Sequence, residues 1–225
     1  RNAVPSVAIA GYTNAGKSSL LNRITKAGVL VENALFATLD PTVRKTQTPD
    51  GRSYTLADTV GFVRHLPHQL VEAFRSTLEE IGESDLIVHV VDASHPDPGG
   101  QLATVRDVIA EVGGGDIQEL VVFNKADLAD ETHRMALRGL EPGSLLVSAR
   151  TGEGIDELLA KIASLLPEPD VEVKVLIPYS RGDLVSRMHL NSRIHALSYE
   201  ETGTHIEAMV SPNLAAELRE FAVTS

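Results

Sequence analysis

The chain has 225 residues, of which 43% are hydrophobic and 23% are charged, and its formal net charge at pH 7 is −11. This composition is typical of a globular protein with a buried core, and the negative charge argues against broad electrostatic binding to DNA or to an anionic membrane. The chain has no cysteine, which excludes disulfides and thiolate metal sites, and no apolar stretch reaches the roughly 20 residues that span a bilayer. We therefore expect a cytoplasmic monomer without membrane insertion.

The first predicted strand and the first predicted helix enclose a glycine-containing segment. Val4–Ala10 is an apolar run that predicts a buried parallel strand, and Ser18–Ala27 predicts a helix that ends at Gly28. Between them the chain reads Gly11-Tyr12-Thr13-Asn14-Ala15-Gly16-Lys17-Ser18. This is the G-x-x-x-x-G-K-S spacing of a phosphate-binding loop, in the strand–loop–helix order that such a loop requires.

Each residue type in this P-loop suits the binding of phosphate groups. Gly11 and Gly16 allow backbone angles at which successive N–H groups turn toward phosphate oxygens. The N-terminus of the following helix favours the same anion. Lys17 supplies a positive charge for the β- and γ-phosphates, and Ser18 supplies a hydroxyl ligand for Mg²⁺.

A loop and a hairpin are predicted next. Residues 29–42 show no periodicity and predict a long functional loop. Val43–Thr48 and Ser53–Asp58 flank the turn-rich segment 49–52, which predicts a hairpin. The second hairpin strand ends in Asp58-Thr59-Val60-Gly61, where the aspartate is suited to hold Mg²⁺ through water and the Gly61 N–H to donate to a γ-phosphate.

Strands and helices alternate over residues 70–165. Helical spacing of apolar residues starts at Leu70, Leu102 and Ile155, and apolar strands are predicted over Leu86–Asp92, Leu120–Asn124 and Leu145–Ser148. This alternation predicts an α/β domain over residues 1–166, with a mostly parallel six-stranded sheet and one antiparallel strand from the hairpin. Ligands in such folds bind beyond the carboxyl ends of the strands.

The pattern changes after a stiff linker predicted over residues 167–170, which contains two prolines. An alternating strand begins at Val171, residues 182–191 are predicted to be helical, and two extended segments follow. Ser211 and Pro212 are typical of the start of a closing helix. We therefore predict a small α+β C-terminal domain over residues 171–225, with the element order β-α-β-β-α.

Two further motifs follow strands and favour recognition of guanine. Asn124-Lys125-Ala126-Asp127 comes after an apolar strand, and the Asp127 carboxylate can accept hydrogen bonds from the N1–H and the N2 amino group of guanine, a donor pair that adenine lacks. Asn124 is expected to contact the N7 side and to brace the P-loop, and the Lys125 stem to cover the base. Ser148-Ala149-Arg150 follows the next strand and offers backbone N–H groups to the guanine O6.

These four motifs, in this order and at strand ends, resemble those of translation-factor-class P-loop GTPases. The segments Tyr12–Asn22, Phe36-Ala37-Thr38-Leu39-Asp40-Pro41-Thr42 and Asp58–Pro67 resemble the HflX family in particular. The resemblance covers the GTPase domain and the small C-terminal domain. The family's N-terminal domain and helical linker have no counterpart in these 225 residues, and we expect this chain to lack them.

The resemblance also implies roles for single residues. Thr38 corresponds to the switch I threonine that approaches Mg²⁺ and the γ-phosphate, with Thr42 as the competing candidate. Asn14 corresponds to an asparagine that can bind K⁺ together with switch I carbonyls; the alternative is that it stabilises the loop by hydrogen bonding. The expected metal ligands are Ser18, Thr38 and Asp58, and the expected catalytic residues are Lys17, Thr38, Gly61 and Asn14. The expected nucleotide contacts are Gly11, Tyr12, Thr13, Asn14, Ala15, Gly16, Lys17, Ser18, Ser19, Phe36, Ala37, Thr38, Leu39, Asp40, Asp58, Thr59, Val60, Gly61, Asn124, Lys125, Asp127, Ser148, Ala149 and Arg150.

Taken together, these features predict a Mg²⁺-dependent switch that binds GTP and GDP and hydrolyses GTP slowly unless a partner stimulates it. The resemblance implies that this partner is the large ribosomal subunit, in ribosome splitting or rescue under stress. A GTP-gated interaction module with a non-ribosomal effector is the alternative. An ATP-using P-loop enzyme is disfavoured by Asp127.

Overall fold

The computed structural model describes residues 4–12, 15–25, 29–30, 42–58 and 81–224. The chain divides into two compact units between Leu166 and Pro167. Predictions that concern the remaining residues, such as the loop after Leu30 and most of the helix predicted from Leu70, lie outside the part of the chain that the structure describes.

A seven-stranded sheet forms the centre of the first unit. In spatial order its strands are β2 (Val29–Leu30), β3 (Thr42–Gln47), β4 (Ser53–Asp58), β1 (Ser6–Gly11), β5 (Leu86–Asp92), β6 (Glu119–Asn124) and β7 (Leu145–Leu146). β3 runs antiparallel to β4, and the strands from β4 to β7 are mutually parallel. The predicted α/β fold is therefore confirmed, with β2 as a short additional edge strand in the segment whose sequence predicts only a loop.

The register of the parallel strands aligns the ends that carry the motifs. β1 is buried over nearly its whole length, and it pairs with β4 on one side and with β5 on the other. Asp58 lies opposite Ile9, and Asp92 lies opposite Asn124. The carboxyl ends of β1, β4, β5 and β6 therefore meet along one edge of the sheet, where ligands bind in folds of this class.

Helices cover both faces of this sheet, as a buried parallel sheet requires. Three of them were predicted: α1 (Lys17–Ile24), α2 (Pro98–Glu111) and α4 (Ile155–Leu165). Leu21 of α1 and Ile162 of α4 belong to the same core as Val7 of β1. On the opposite face, Val105 of α2 packs in a core with Ala8 of β1. Because side chains alternate along a strand, β1 contributes to both cores.

The structure adds a helix that the sequence did not predict. This helix, α3 (Glu131–Leu140), buries one residue, Leu137, and therefore contributes little to the buried apolar spacing from which the other helices are predicted. Its start is capped by the Asp130 carboxylate, which accepts a hydrogen bond from the His133 N–H at 2.8 Å. α1 also differs from prediction, because it ends at Ile24 rather than at Ala27.

A partly buried polar network connects β5 and β6 to α2. His89 is fully buried on β5, and its Nδ1 lies 2.8 Å from Glu119 Oε2. Arg106 donates to Glu119 Oε1 from Nε at 2.9 Å and from Nη2 at 2.7 Å, and it also donates to Glu141. Burial alone raises the pKa of the Glu119 carboxyl, but the hydrogen bonds with His89 and Arg106 outweigh it and lower the pKa to about 2.

This network predicts an acid-sensitive component of stability. The pKa of Glu119 rises on unfolding from about 2 toward 4.5, so its contribution is complete above pH 4.5 and is lost as the pH falls toward 2. We expect Glu119→Gln to remove on the order of 2 kcal/mol of this pH-dependent stability. Urea unfolding of the wild-type chain and the variant between pH 3 and pH 7 measures it.

The exposed Glu131 of α3 provides the matched control, and Glu131→Gln should leave the pH dependence unchanged. If Glu119→Gln shows the same change in unfolding free energy with pH as the wild-type chain, the assigned pKa of Glu119 is wrong.

The second unit is an antiparallel sheet with helices. Its elements are β8 (Val171–Pro178), α5 (Gly182–Asn191), β9 (Arg193–Tyr199), β10 (Gly203–Val210) and α6 (Pro212–Glu217), and the strand order is β8-β10-β9. Alternate strand residues such as Ile177 and Ile206 pack with Met188 of α5 and Leu214 of α6. Ser211 Oγ accepts a hydrogen bond from the Leu214 N–H at 3.2 Å and so begins α6. The predicted β-α-β-β-α order is confirmed.

Within the described residues, no helix combines the length and the apolar character that crossing a membrane requires.

Candidate nucleotide site

The P-loop connects β1 to α1, and it has glycine at the two positions where its backbone comes close to other strands. A Cβ atom at Gly11 would lie 2.3 Å from the Val90 carbonyl oxygen of the neighbouring strand. Gly16 has φ +84° directly before α1, and a Cβ there would lie 2.5 Å from Nδ2 of Asn124. Both positions therefore exclude a side chain, as the sequence motif indicates.

The last two side chains of the P-loop, those of Lys17 and Ser18, meet the end of β4. Lys17 is buried, and its Nζ lies 3.2 Å from Asp58 Oδ1. Ser18 Oγ donates to Asp58 Oδ2 at 3.3 Å. The structure thus brings together three residues that the sequence assigns to phosphate and metal binding.

This group of oxygen atoms fits Mg²⁺, which prefers oxygen ligands and commonly uses only one or two protein groups together with waters and substrate phosphates. No group of three or more His, Asp or Glu side chains that could hold a metal ion occurs in the described residues. Of the metal ligands that the sequence predicts, Ser18 and Asp58 lie in the described part of the chain, and their oxygen atoms are close together.

Asn124, the last residue of β6, is hydrogen-bonded to two loops at once. Its side chain is buried, and Nδ2 donates to the Ala15 carbonyl of the P-loop at 3.0 Å. Its Oδ1 accepts the Ala149 N–H at 3.0 Å. The first bond is the P-loop brace expected of Asn124. The second occupies one of the N–H groups of Ser148-Ala149-Arg150 that we expected to be offered to guanine O6. Of these three backbone N–H groups, only that of Arg150 has no partner among the described residues.

Lys125 holds a backbone conformation that is uncommon for a residue with a side chain. Its φ is +66°, the only positive value for a non-glycine residue in the described part of the chain. Nζ of Lys125 lies 3.4 Å from Asp92 Oδ2 at the end of β5, and its Cε lies 3.9 Å from the Cβ position at Gly16. Sequence reasoning missed Asp92, although its place at a strand end gave the same signal as Asp58.

Asp127 lies in a 3-10 turn, Ala126–Leu128, and its carboxylate is held from one side. Ser148, which is fully buried, donates from Oγ to Asp127 Oδ1 at 2.8 Å. The exposed Arg150 donates from Nε to Oδ2 at 3.2 Å. The hydrogen bond from Ser148, with a further contribution from Arg150, holds the pKa of Asp127 below its usual range. Asp127 is therefore a charged acceptor at neutral pH.

A cavity of about 440 Å³ lies between these two loops and the P-loop. Its lining residues are Gly16, Ser19, Asn124, Lys125, Asp127, Leu128, Ser148, Ala149 and Arg150. Eight of these nine were predicted as nucleotide contacts. The exception, Leu128, is an apolar residue that is 62% exposed, and its unusual exposure becomes evident only in the folded chain. The cavity has apolar and polar walls, as a pocket for a flat, hydrogen-bonding base requires.

Several predicted site residues lie outside the described part of the chain. They are Thr13, Asn14, Phe36, Ala37, Thr38, Leu39, Asp40, Thr59, Val60 and Gly61. Tyr12 and Ala15 of the P-loop are described, and both are buried. Thr42, the competitor of Thr38, is the first residue of β3 and pairs with Asp58.

Comparison with known proteins places this arrangement among GTPases. A family model described as "50S ribosome-binding GTPase" matches residues 6–125. GTPase HflX from Lacrimispora saccharolytica is 43% identical over 223 residues, which cover 99% of this chain and 52% of that protein. GTPase HflX from Escherichia coli K12 is 40% identical over 203 residues, which cover 89% of this chain and 48% of that protein. The chain thus spans about half the length of the curated relatives it matches.

The fold of this chain is also similar to solved structures of GTP-binding proteins. A GTP-binding protein from Sulfolobus solfataricus in complex with GDP has a TM-score of 0.59 and 30% identity, over 72% of this chain and 52% of that one. The cytosolic domain of the FeoB iron transporter from T. maritima, in its GMPPNP form, has a TM-score of 0.55 and 25% identity, over 71% of this chain and 63% of that one.

Proposed function

The chain belongs to the family described as 50S ribosome-binding GTPases, with HflX GTPases as relatives over nearly all of its length, and we propose that it is a switch that binds GTP and hydrolyses it to GDP and phosphate. The observation that carries this proposal is the cavity of about 440 Å³ that is lined by the charged carboxylate of Asp127. A carboxylate with two acceptor oxygens matches the N1–H and N2–H₂ donors of guanine and has no such match in adenine.

The phosphate half of the site acts through positive charge and backbone donors. The N–H groups of the P-loop and of the first turn of α1 bind the phosphates, and Lys17 stabilises the negative charge that develops on the γ-phosphate as water attacks in line. Ser18 and Asp58 would hold Mg²⁺, with Thr38 as the proposed third residue. Mg²⁺ bound there would supply further neutralisation of the phosphate charge. Gly61 is proposed to donate its N–H to the γ-phosphate.

We propose that the large ribosomal subunit is the partner that accelerates hydrolysis. The support is the description of the matched family, together with the HflX relatives. We further propose that residues 171–225 form a separate C-terminal domain, which the division of the chain between Leu166 and Pro167 supports. The net charge of −11 gives no support to ribosome binding, so contacts with rRNA have to come from local basic residues.

Hydrolysis of GTP by the 225-residue chain, with and without purified large subunits, tests this proposal. We expect slow turnover alone and at least a roughly ten-fold acceleration with the subunits, as partner-supplied groups in GTPases provide. ATP should not compete with GTP. Intact GTP binding without acceleration would remove the ribosome as the partner of these 225 residues, and a lack of GTP binding would remove the switch itself.

Asn14 carries a subsidiary proposal, that K⁺ binds beside the phosphates and raises the rate. The same assay in KCl and in NaCl examines it, and equal rates would leave Asn14 as a residue that stabilises the loop.

A further inference from the structure

The α3 helix carries an arginine whose guanidinium group is hydrogen-bonded to both loops that line the proposed base pocket. Arg134 donates from Nε to the Ala129 carbonyl at 3.1 Å and from Nη2 to the Ala126 carbonyl at 2.6 Å. Nη1 and Nη2 also form a two-pronged pair with the Glu153 carboxylate, at 2.5 Å and 3.0 Å. All three guanidinium nitrogens therefore have partners.

The two carbonyls that Arg134 holds lie on either side of Asp127. The turn that carries Asp127 begins at Lys125, whose left-handed conformation costs about 1–2 kcal/mol for a residue with a side chain. Such a conformation persists only where surrounding contacts determine it. Arg134 supplies two of those contacts, so it fixes the place from which the Asp127 carboxylate projects into the cavity.

Glu153 connects the loop that carries Ser148 to the turn that carries Asp127. Its carbonyl accepts the Ser148 N–H at 2.9 Å, and Ser148 is the residue whose hydroxyl orients Asp127. The Arg134–Glu153 pair and the Ser148–Asp127 hydrogen bond thus form two parallel connections between the loops. A two-pronged pair of an arginine and a carboxylate fixes the relative orientation of the two side chains as well as their distance.

We propose that Arg134 and Glu153 are positioning residues that set the selectivity for the 2-amino group of guanine. The inference rests on the proposed function, because it concerns the same base pocket. Recognition of N1–H and N2–H₂ requires both carboxylate oxygens to be aligned with the base plane. If the turn moves, the contact with N2–H₂ is weakened while the contacts of the P-loop with the phosphates are kept.

The test compares the affinities for GDP and IDP, which differ only by the 2-amino group. The wild-type chain should bind GDP roughly ten-fold or more tightly than IDP, since a hydrogen bond to a charged acceptor is lost in IDP. In Arg134→Met we expect this ratio to fall at least about three-fold, mainly through weaker GDP binding. Glu153→Gln, at a more exposed position that tolerates change, should lower the ratio in the same direction.

Arg138→Met is the matched control on the same helix. Arg138 Nη1 lies 3.6 Å from Glu131 Oε1, and both side chains are mostly exposed. This variant should therefore keep the wild-type ratio of GDP to IDP affinity. An unchanged GDP/IDP ratio in folded Arg134→Met and Glu153→Gln overturns the inference, and so does an equal loss for both nucleotides, which a purely structural role predicts. Should Arg134→Met fail to fold, Glu153→Gln decides alone. A wild-type chain without preference for GDP refutes the proposed guanine site, and the inference with it.

Discussion

Asp127→Asn should exchange the base preference of the site from guanine to xanthine. The amide presents one acceptor and one donor where the carboxylate presents two acceptors, so its NH₂ group opposes the 2-amino group of guanine. Xanthine has an oxygen at that position and is matched by the amide. We expect GDP affinity to fall by roughly 10³-fold or more and XDP binding to appear, because the amide places a donor against the guanine amino group and leaves both donors unpaired.

Competition of GDP and XDP against a fluorescent nucleotide measures this exchange. Asp130→Asn provides the control three residues away, since Asp130 caps α3 and asparagine caps a helix equally well. Equal losses for both nucleotides would mean that Asp127 supports the fold of the loop rather than the recognition of the base.

Gly16→Ala should abolish nucleotide binding and destabilise the first unit. The added Cβ would lie 2.5 Å from Asn124 Nδ2, and that amide cannot move cheaply because it is buried and hydrogen-bonded at both ends. The φ of +84° adds strain for any residue with a side chain. We expect at least a roughly 100-fold loss of GDP affinity and a loss of stability of about 3 kcal/mol, the sum of backbone strain and a broken buried hydrogen bond.

Gly143→Ala separates the two causes of this loss. Gly143 has a nearly identical φ of +87°, but no heavy atom lies within 4 Å of its Cβ position. It should therefore show the strain alone, about 1 kcal/mol, with unchanged affinity. Urea unfolding and nucleotide titration of both variants give the comparison. Similar affinities in Gly16→Ala and Gly143→Ala would contradict the assigned contact with Asn124.

The sequence predicted the parts of the fold and site that depend on local pattern. Apolar runs predicted the strands of the sheet, and because parallel strands share one carboxyl edge, Asp58, Asn124 and Ser148 were expected to converge. The spacing of the glycines predicted the P-loop, because the absence of Cβ at Gly11 and Gly16 is a requirement of the local backbone.

The parts that were missed depend on contacts between distant residues. α3 buries a single apolar side chain, Leu137, and is held in place by its cap and by the hydrogen bonds of Arg134 rather than by several core residues. The partner of Arg134, Glu153, lies 19 residues away, and no local spacing indicates their pairing. Which backbone N–H remains available at residues 148–150 likewise depended on Asn124, which lies on another strand.

The two hydrogen bonds of Asn124 have a consequence for how base preference can evolve in this chain. Because one side chain fastens both the P-loop and the Ala149 loop, a change at Asn124 would weaken the binding of every nucleotide, whatever its base. A change at Asp127 leaves the phosphate contacts in place and alters only which base is accepted. Although three positions apart, the two residues therefore face different selection: a new substrate is accessible through Asp127, whereas Asn124 offers only loss of binding.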